Sequence, residues 1–273
     1  MELTIVTGIV VALCGVGVGI LSSMFGIGGG IVMVPLIHIA FGQPAAIASG
    51  TSLFAILPTS ISGMIARLHD GTIHFPVGIA AGIAGACLSP LGALAASTLP
   101  GIYAMVLTAV FILFTAYNMF KRVYKTGPRY LETHANAAAA KRLPPLQQAS
   151  GVRLYGFTAV LGAVVGFLSG YVGLGGGFLI VPMLQWAFGY TMKEASGTSL
   201  VAVGILAIPS FITHAIIGNV MWIVGLLLIV GSILGTKIGA RILGHVNNRL
   251  LTGLFGVLLV ASGVMLAVQE IVG

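Results

Sequence analysis

Gly26-Ile27-Gly28-Gly29-Gly30, followed by Val34-Pro35, stands 147 positions ahead of Gly173-Leu174-Gly175-Gly176-Gly177 and Val181-Pro182. A second pair follows in the same register: Ala48-Ser-Gly-Thr-Ser-Leu53 returns as Ala195-Ser-Gly-Thr-Ser-Leu200. Laid over one another without a gap, positions 19–53 and 166–200 agree at 18 of 35 sites, far beyond chance for one chain. Agreement thins towards Gly92 and Gly239, passing Gly71/Gly218 and Val77-Gly78/Val224-Gly225. The chain is a tandem duplication. Two apolar halves, each with a helix-breaking glycine motif, make the sequence pattern of a secondary transporter, whose repeats face each other across a site near the bilayer midplane.

Composition sets the solvent. Of 273 residues, 58% are hydrophobic and only 6% charged, with a mean hydropathy of +1.12. A soluble domain carries about 25% charged residues, so this is a polytopic membrane protein. Its apolar stretches are long and lack strict alternation, which favours helices over a barrel. Forty glycines agree, since small residues let membrane helices approach closely. The net charge of +7 is no nucleic-acid signal, because seven of twelve Lys/Arg fall in one connector: Lys121, Arg122, Lys125, Arg129, Lys141, Arg142 and Arg153. A basic loop between membrane segments marks the cytoplasmic side. Glu2 stands where a cleaved leader would carry positive charge. Cys14 and Cys87 lie in apolar segments without metal or redox spacing, and read as small buried hydrophobes. Neither a cofactor nor a metal site is expected.

Each half holds five apolar segments, roughly 4–25, 29–42, 45–66, 73–97 and 101–120, then 154–172, 176–190, 193–217, 220–244 and 250–270. The expected organisation is a first membrane repeat at 1–120, a basic cytoplasmic connector at 121–152 and a second repeat at 153–273. The second segment of each half is short, about 22 Å of helix against a ~30 Å hydrocarbon core. It spans as a short helix, re-enters as a half-helix, or forms part of a broken helix continuing past Gly42 or Gly189, leaving 8–10 transmembrane helices. If all ten segments cross, Arg67, Lys193, Lys237, Arg241 and Arg249 join the connector on one side. The positive-inside bias therefore favours inverted repeats of five, with both termini outside.

The motifs carry the chemistry. Gly28, Gly29 and Gly30, with Gly175, Gly176 and Gly177, reach backbone angles that other residues avoid. The helices restarting at Ile31 and Phe178 offer free N–H groups and a partial positive charge, which hold an anion without a buried cation. Ser49, Gly50, Thr51 and Ser52, matched by Ser196, Gly197, Thr198 and Ser199, add hydroxyls. A break at Gly50 or Gly197 would let hydroxyls and amides converge on one oxyanion. Small packing residues at a helix interface would look the same, and the in-register duplication favours a site.

The duplicated glycine and Ala-Ser-Gly-Thr-Ser-Leu elements resemble the sulfite exporter TauE/SafE family, also called the toluene sulfonate uptake permease (TSUP) family. The resemblance covers nearly the whole chain, including the central basic connector. It implies a multi-pass carrier in a prokaryotic-type plasma or inner membrane, moving sulfite, organosulfonates or related sulfur-containing acids. The partners it implies are a small anion, a coupling proton or sodium ion, and membrane lipid.

Six ionisable residues stand as gating or coupling candidates. Arg67 and His214 hold equivalent positions as segment three ends. Lys237 and Arg241 are one helical turn apart, where the first repeat has Pro90 and Leu94. His38 sits in an apolar segment opposite Gln185, where an intramembrane imidazole is a functional candidate by default. Glu194 is the acid beside a signature motif, next to Lys193. Two other functions compete with a carrier. An anion channel would use the same breaks to line a pore. An intramembrane enzyme would need a nucleophile and base, and the chain has no G-x-S-x-G.

Overall fold

The computed structural model describes residues 5–98, most positions from 110 to 124, and residues 152–272. The expected connector at 121–152 and the start of segment five lie almost wholly outside these. The described residues form helices and no strand. Among the described residues of the first half are α1 (Ile5–Phe25), α2 (Gly30–Phe41), α3 (Ala45–Ala66) and α4 (Phe75–Thr98), and the described positions between 110 and 124 are helical as well. Five helices belong to the second: α5 (Val152–Val172), α6 (Gly177–Phe188), α7 (Met192–Ile217), α8 (Trp222–His245) and α9 (Asn248–Val272).

The duplication is visible in the element boundaries. α1, α2 and α4 begin and end 147 residues before α5, α6 and α8. α3 and α7 start in the same register, but α7 runs on to Ile217 while α3 stops at Ala66. Arg67 and a 3-10 turn at Leu68–Asp70 occupy the remaining length in the first half. Both routes end on a left-handed glycine, Gly71 (φ 63°) or Gly218 (φ 87°). α7 has a capping box, in which the Thr191 hydroxyl accepts from the Glu194 N–H and the Glu194 carboxylate accepts from the Thr191 N–H.

The halves are interleaved. α1 packs along α8, the fourth helix of the other half, and α5 packs along α4. Glycines every fourth residue make both contacts backbone to backbone. A Cβ on Gly231, Gly235 or Gly239 would lie 2.0, 2.1 or 2.6 Å from the carbonyl oxygens of Ala12, Val16 and Ile20. A Cβ on Gly162, Gly166 or Gly170 would lie 2.2, 2.1 or 2.0 Å from those of Ala81, Gly85 and Ser89. Numbers rise together in both pairs, so α1 runs parallel to α8 and α5 parallel to α4.

The central helices complete the pattern. α3 follows α8 through the hydroxyl pairs Thr59–Ser232 (2.5 Å) and Ser62–Thr236 (2.7 Å). α7 follows α4, with Thr198 bonded to the His74 N–H and Ser89 Oγ bonded to the Leu206 carbonyl. Between α3 and α7 the order reverses, since Arg67 bonds Ser196 while Gly50 lies against His214. Thus α1, α3 and α8 point one way and α4, α5 and α7 the other. α1 and its counterpart α5 are antiparallel.

Six described helices are long and apolar enough to cross a membrane: α1, α3, α4, α5, α7 and α8. Their outer faces expose large apolar side chains such as Ile83, Leu91, Leu226, Val230 and Leu234. Cys87 stands on this outward face of α4 and Cys14 is half-buried on α1, so Cys87 is not the buried hydrophobe its segment suggested. Positions 83, 87 and 91 recur every fourth residue and share one helix side. α2 and α6 have 12 residues each, about 18 Å of helix, well short of a ~30 Å core.

Gly235→Val should abolish folded protein. The new side chain meets the Val16 carbonyl, and overpacking of this kind costs about 3 kcal/mol. Gly244→Ala, where no atom lies within 4 Å of the added Cβ, should leave the size-exclusion profile of extracted protein unchanged.

Candidate functional site

The two glycine motifs meet at the centre of the bundle. After α1 the chain turns through Gly26 (φ 71°), Gly28 (φ 71°) and Gly29 (φ 93°), and Gly29 caps α2. After α5 it turns through Gly173 (74°), Gly175 (77°) and Gly176 (68°), and Gly176 caps α6. L-residues with side chains rarely adopt these angles, so the expected breaks are real. The two turns touch: a Cβ on Gly30 would lie 2.5 Å from the Leu174 carbonyl oxygen, and one on Gly177 would lie 2.4 Å from that of Gly26. Neither α2 nor α6 has a side-chain N-cap. The Gly177 N–H donates to the Gly175 carbonyl at 2.9 Å, so the N–H groups of Gly30, Ile31 and Phe178 are those that open beside the junction of the halves.

The duplicated hydroxyls brace this junction. Ser52 Oγ donates to the Gly173 carbonyl at 2.6 Å, and its counterpart Ser199 Oγ donates to the Gly26 carbonyl at 2.7 Å. Thr51 Oγ1 accepts from the Met221 N–H and Thr198 Oγ1 from the His74 N–H, again 147 positions apart. Thr51 and Thr198 thus receive backbone N–H groups at the entry to α8 and α4. Ser49 Oγ donates to the Val172 carbonyl, whereas Ser196 Oγ accepts from Arg67. Each half ties off the broken helix of the other.

The break expected at Gly50 and Gly197 is absent. Both lie inside continuous helices, α3 and α7, without positive φ. Their smallness serves close packing instead: a Cβ on Gly50 would lie 2.0 Å from the Asn219 carbonyl oxygen, and one on Gly197 would lie 3.3 Å from Arg67 Nη2.

Arg67 and His214 flank the junction at equivalent positions. Both are fully buried. Arg67 Nη1 donates to the Ser23 carbonyl (3.2 Å) and Ser196 Oγ (2.9 Å), and Nη2 to the Lys193 carbonyl (2.6 Å) and Thr72 Oγ1 (3.4 Å). Its carboxylate neighbour is Asp70, 3.9 Å from Nε and half-exposed. His214 Nε2 lies 3.5 Å from the Gly170 carbonyl. Ser23 and Gly170 are themselves 147 residues apart, so each ionisable group reads the same backbone position of the first helix of its own half.

Several buried polar atoms here have no hydrogen-bond partner: Ser22 Oγ, Ser23 Oγ and Arg67 Nε beside one turn, Ser169 Oγ and His214 Nδ1 beside the other. Ser22 and Ser23 lie outside the motif analysis, since a serine in an apolar helix reads as packing, and Ser169 reads from the sequence only as a nucleophile without an identifiable histidine partner. A signal was present, because Leu21-Ser22 and Leu168-Ser169 agree across the repeat.

The other ionisable candidates lie apart from these atoms. Glu194 is held by the α7 cap and faces His74 at 3.7 Å. His74 stacks on Tyr190, whose phenol is pushed up to about 12 by burial, with the Glu194 charge adding. His38 Nδ1 pairs with the Gln43 carbonyl at the end of α2, and Gln185 donates to Met192 Sδ. Lys237 and Arg241 are exposed on α8. Among the described residues no cluster of His, Cys, Asp or Glu could hold a metal ion.

Interleaved apolar helices closed around two glycine breaks define a multi-pass membrane protein of the transporter class. The chain belongs to the sulfite exporter TauE/SafE family, whose model matches residues 11–266. It is similar to the probable membrane transporter protein YunE of Bacillus subtilis, 25% identical over 96% of this chain and 98% of the relative. A probable membrane transporter protein of Xylella fastidiosa is 27% identical over 90% of both chains. Another from Methanocaldococcus jannaschii, MJ0441, is 33% identical over 40% of this chain and 43% of its own. No solved structure gives a significant match.

Ser52→Ala and Ser199→Ala should each lower unfolding free energy by about 1–2 kcal/mol, since each leaves a buried turn carbonyl short of a donor. Chemical denaturation of purified protein reads the effect, and equal losses at the two positions are the expected outcome.

Proposed function

We infer that this protein is a secondary active carrier of a small anion, a sulfur oxyanion or organosulfonate, working by alternating access between inverted repeats. The observation that carries the anion reading is Arg67, a fully buried guanidinium whose nearest carboxylate is 3.9 Å away and half in solvent. A charge inside a membrane protein is costly and marks a substrate path by default. Its hydrogen bonds go to carbonyls and hydroxyls, those of Ser23, Lys193, Ser196 and Thr72, rather than to a carboxylate. The uncapped starts of α2 and α6 add partial positive charge from both halves. The family's description as sulfite exporters supports the sulfur-oxyanion class. The antiparallel course of α1 and α5 supports inversion.

The substrate site is then the junction itself: Gly28–Gly30 and Gly175–Gly177 with the hydroxyls of Ser49, Thr51 and Ser52 and of Ser196, Thr198 and Ser199. All but Ser196, which meets the Arg67 guanidinium, are engaged with backbone groups of the opposite half, which fits a closed state. Opening one side means releasing its set, Ser52 from Gly173 or Ser199 from Gly26, while the other set stays shut. Two equivalent gates alternate in this way without a large rearrangement of the long helices.

Liposomes containing the purified protein should accumulate labelled sulfite or methanesulfonate with saturation and counterflow. Arg67→Gln should reduce the apparent affinity about 10–100-fold, the worth of one charge-assisted hydrogen bond at about 1.5–3 kcal/mol. Continuous conductance without saturation would make the protein a channel, a chemically altered anion would make it an enzyme, and indifference to the whole anion panel would refute the site.

A further inference from the structure

We propose that Ser169 and His214 form a second anion station, equivalent to the one at Ser22, Ser23 and Arg67, which takes an anion together with a proton. This rests on the anion-carrier assignment. The argument starts from hydrogen-bond satisfaction. Buried polar atoms are nearly always paired, and an unpaired one marks an unfilled role. Here Ser22 and Ser169, both essentially buried, lack partners at positions 147 residues apart. Arg67 Nε and His214 Nδ1, on side chains that contact the next residue of each helix, lack partners in the same equivalence. The two groups already share a second feature, a bond from each to the backbone of the neighbouring α1 or α5 residue, Ser23 or Gly170. Each set therefore presents a nitrogen and a hydroxyl without a hydrogen-bond partner, Arg67 Nε having only the Asp70 carboxylate at 3.9 Å. Ser169 also stands beside the α6 cap, its Cβ 3.3 Å from where a Cβ on Gly176 would be.

The two stations differ in one atom group. A guanidinium is charged at every physiological pH, whereas an imidazole loses its proton near pH ~6.5. A neutral His214 offers an anion little, and an imidazolium buried without a counter-charge is costly. Each ligand removes the obstacle to the other, so proton and anion bind with positive linkage. The proton comes from the medium as the anion enters and leaves with it, and a monoanion occupies the station without net charge.

The surroundings leave His214 as the titrating group. Arg67, Asp70, Lys193, Glu194 and the α9 residue Arg249 all gather at the N-terminal end of α7. His214 lies near its C-terminal end, against Gly50 of α3 and Gly170 of α5. The titratable groups closer to its level are Tyr171 on α5 and the outward-facing Cys87 on α4.

Calorimetric titration of the full-length protein with methanesulfonate, whose own charge is constant, tests this at about pH 6 and about pH 8. The expected result is binding about tenfold tighter at the lower pH, one charge-assisted hydrogen bond's worth. His214→Gln should abolish that pH dependence, and His214→Arg should keep tight binding at both values. Ser169→Ala is the safeguard against misfolding, because its hydroxyl has no partner to lose. It should keep or raise thermal stability while removing most of the low-pH gain, whereas Ser22→Ala should weaken binding equally at both pH values. A pH dependence that survives His214→Gln, or unaltered binding in Ser169→Ala, overturns the second station alone. Absence of binding by the wild-type protein at either pH, for methanesulfonate and sulfite alike, overturns the carrier assignment and the station with it.

Discussion

Hydrocarbon leaves a backbone N–H or C=O no partner but the protein itself, and each orphan costs several kcal/mol. Two broken helices in one small chain therefore need two sets of internal donors and acceptors. Each half supplies the set the other half needs. Ser52 and Ser199 satisfy the turn carbonyls of Gly173 and Gly26, and Thr51 and Thr198 receive the N–H groups of Met221 and His74. Neither break closes without the opposite repeat. Glycine at 30 and 177 lets the turns approach within backbone contact, so the polar groups of both breaks collect in one place.

The rest of the architecture follows from that reciprocity. α1 must lie against the second half and α5 against the first, and the glycine ladders on α5 and α8 allow this at close range. Because the partners are parallel while α3 and α7 cross in opposite directions, the contacts of Thr51 and Ser52 recur as those of Thr198 and Ser199 with 147 added to the residue numbers. The ends of α3 and α7 depart from this repeat, in chemistry most of all. Arg67 and His214 make the same backbone contact with different charge behaviour, and this breaks the symmetry at the one place where an anion would feel it.

Much of this was legible in the residues, and what was not has physical causes. The breaks at Gly26–Gly30 and Gly173–Gly177 were readable because consecutive glycines in an apolar run have no helical purpose. The equivalence of Arg67 and His214 was readable from register alone. Gly50 and Gly197 misled because a glycine between hydroxyls looks like a break, whereas the local need is room for the Asn219 carbonyl and the Arg67 guanidinium. Those neighbours are distant in sequence. The interleaving of halves was also hidden, since apolar periodicity names a buried face without naming what buries it. Ser22 and Ser169 agree across the repeat, but what sets them apart is the missing bonds around them, which only the fold shows.

The central claim is that carriage of the anion requires the cross-half braces to release in turn. Ser49 Oγ donates to the Val172 carbonyl at 2.8 Å, joining α3 to the end of α5. A Ser49→Cys/Val172→Cys protein lacking Cys14 and Cys87, joined by a short membrane-permeant thiol cross-linker, holds one brace shut. Cross-linked protein in liposomes should lose counterflow of labelled sulfite, and cleaving the linker should restore it. Counterflow undiminished by a complete cross-link would contradict the account.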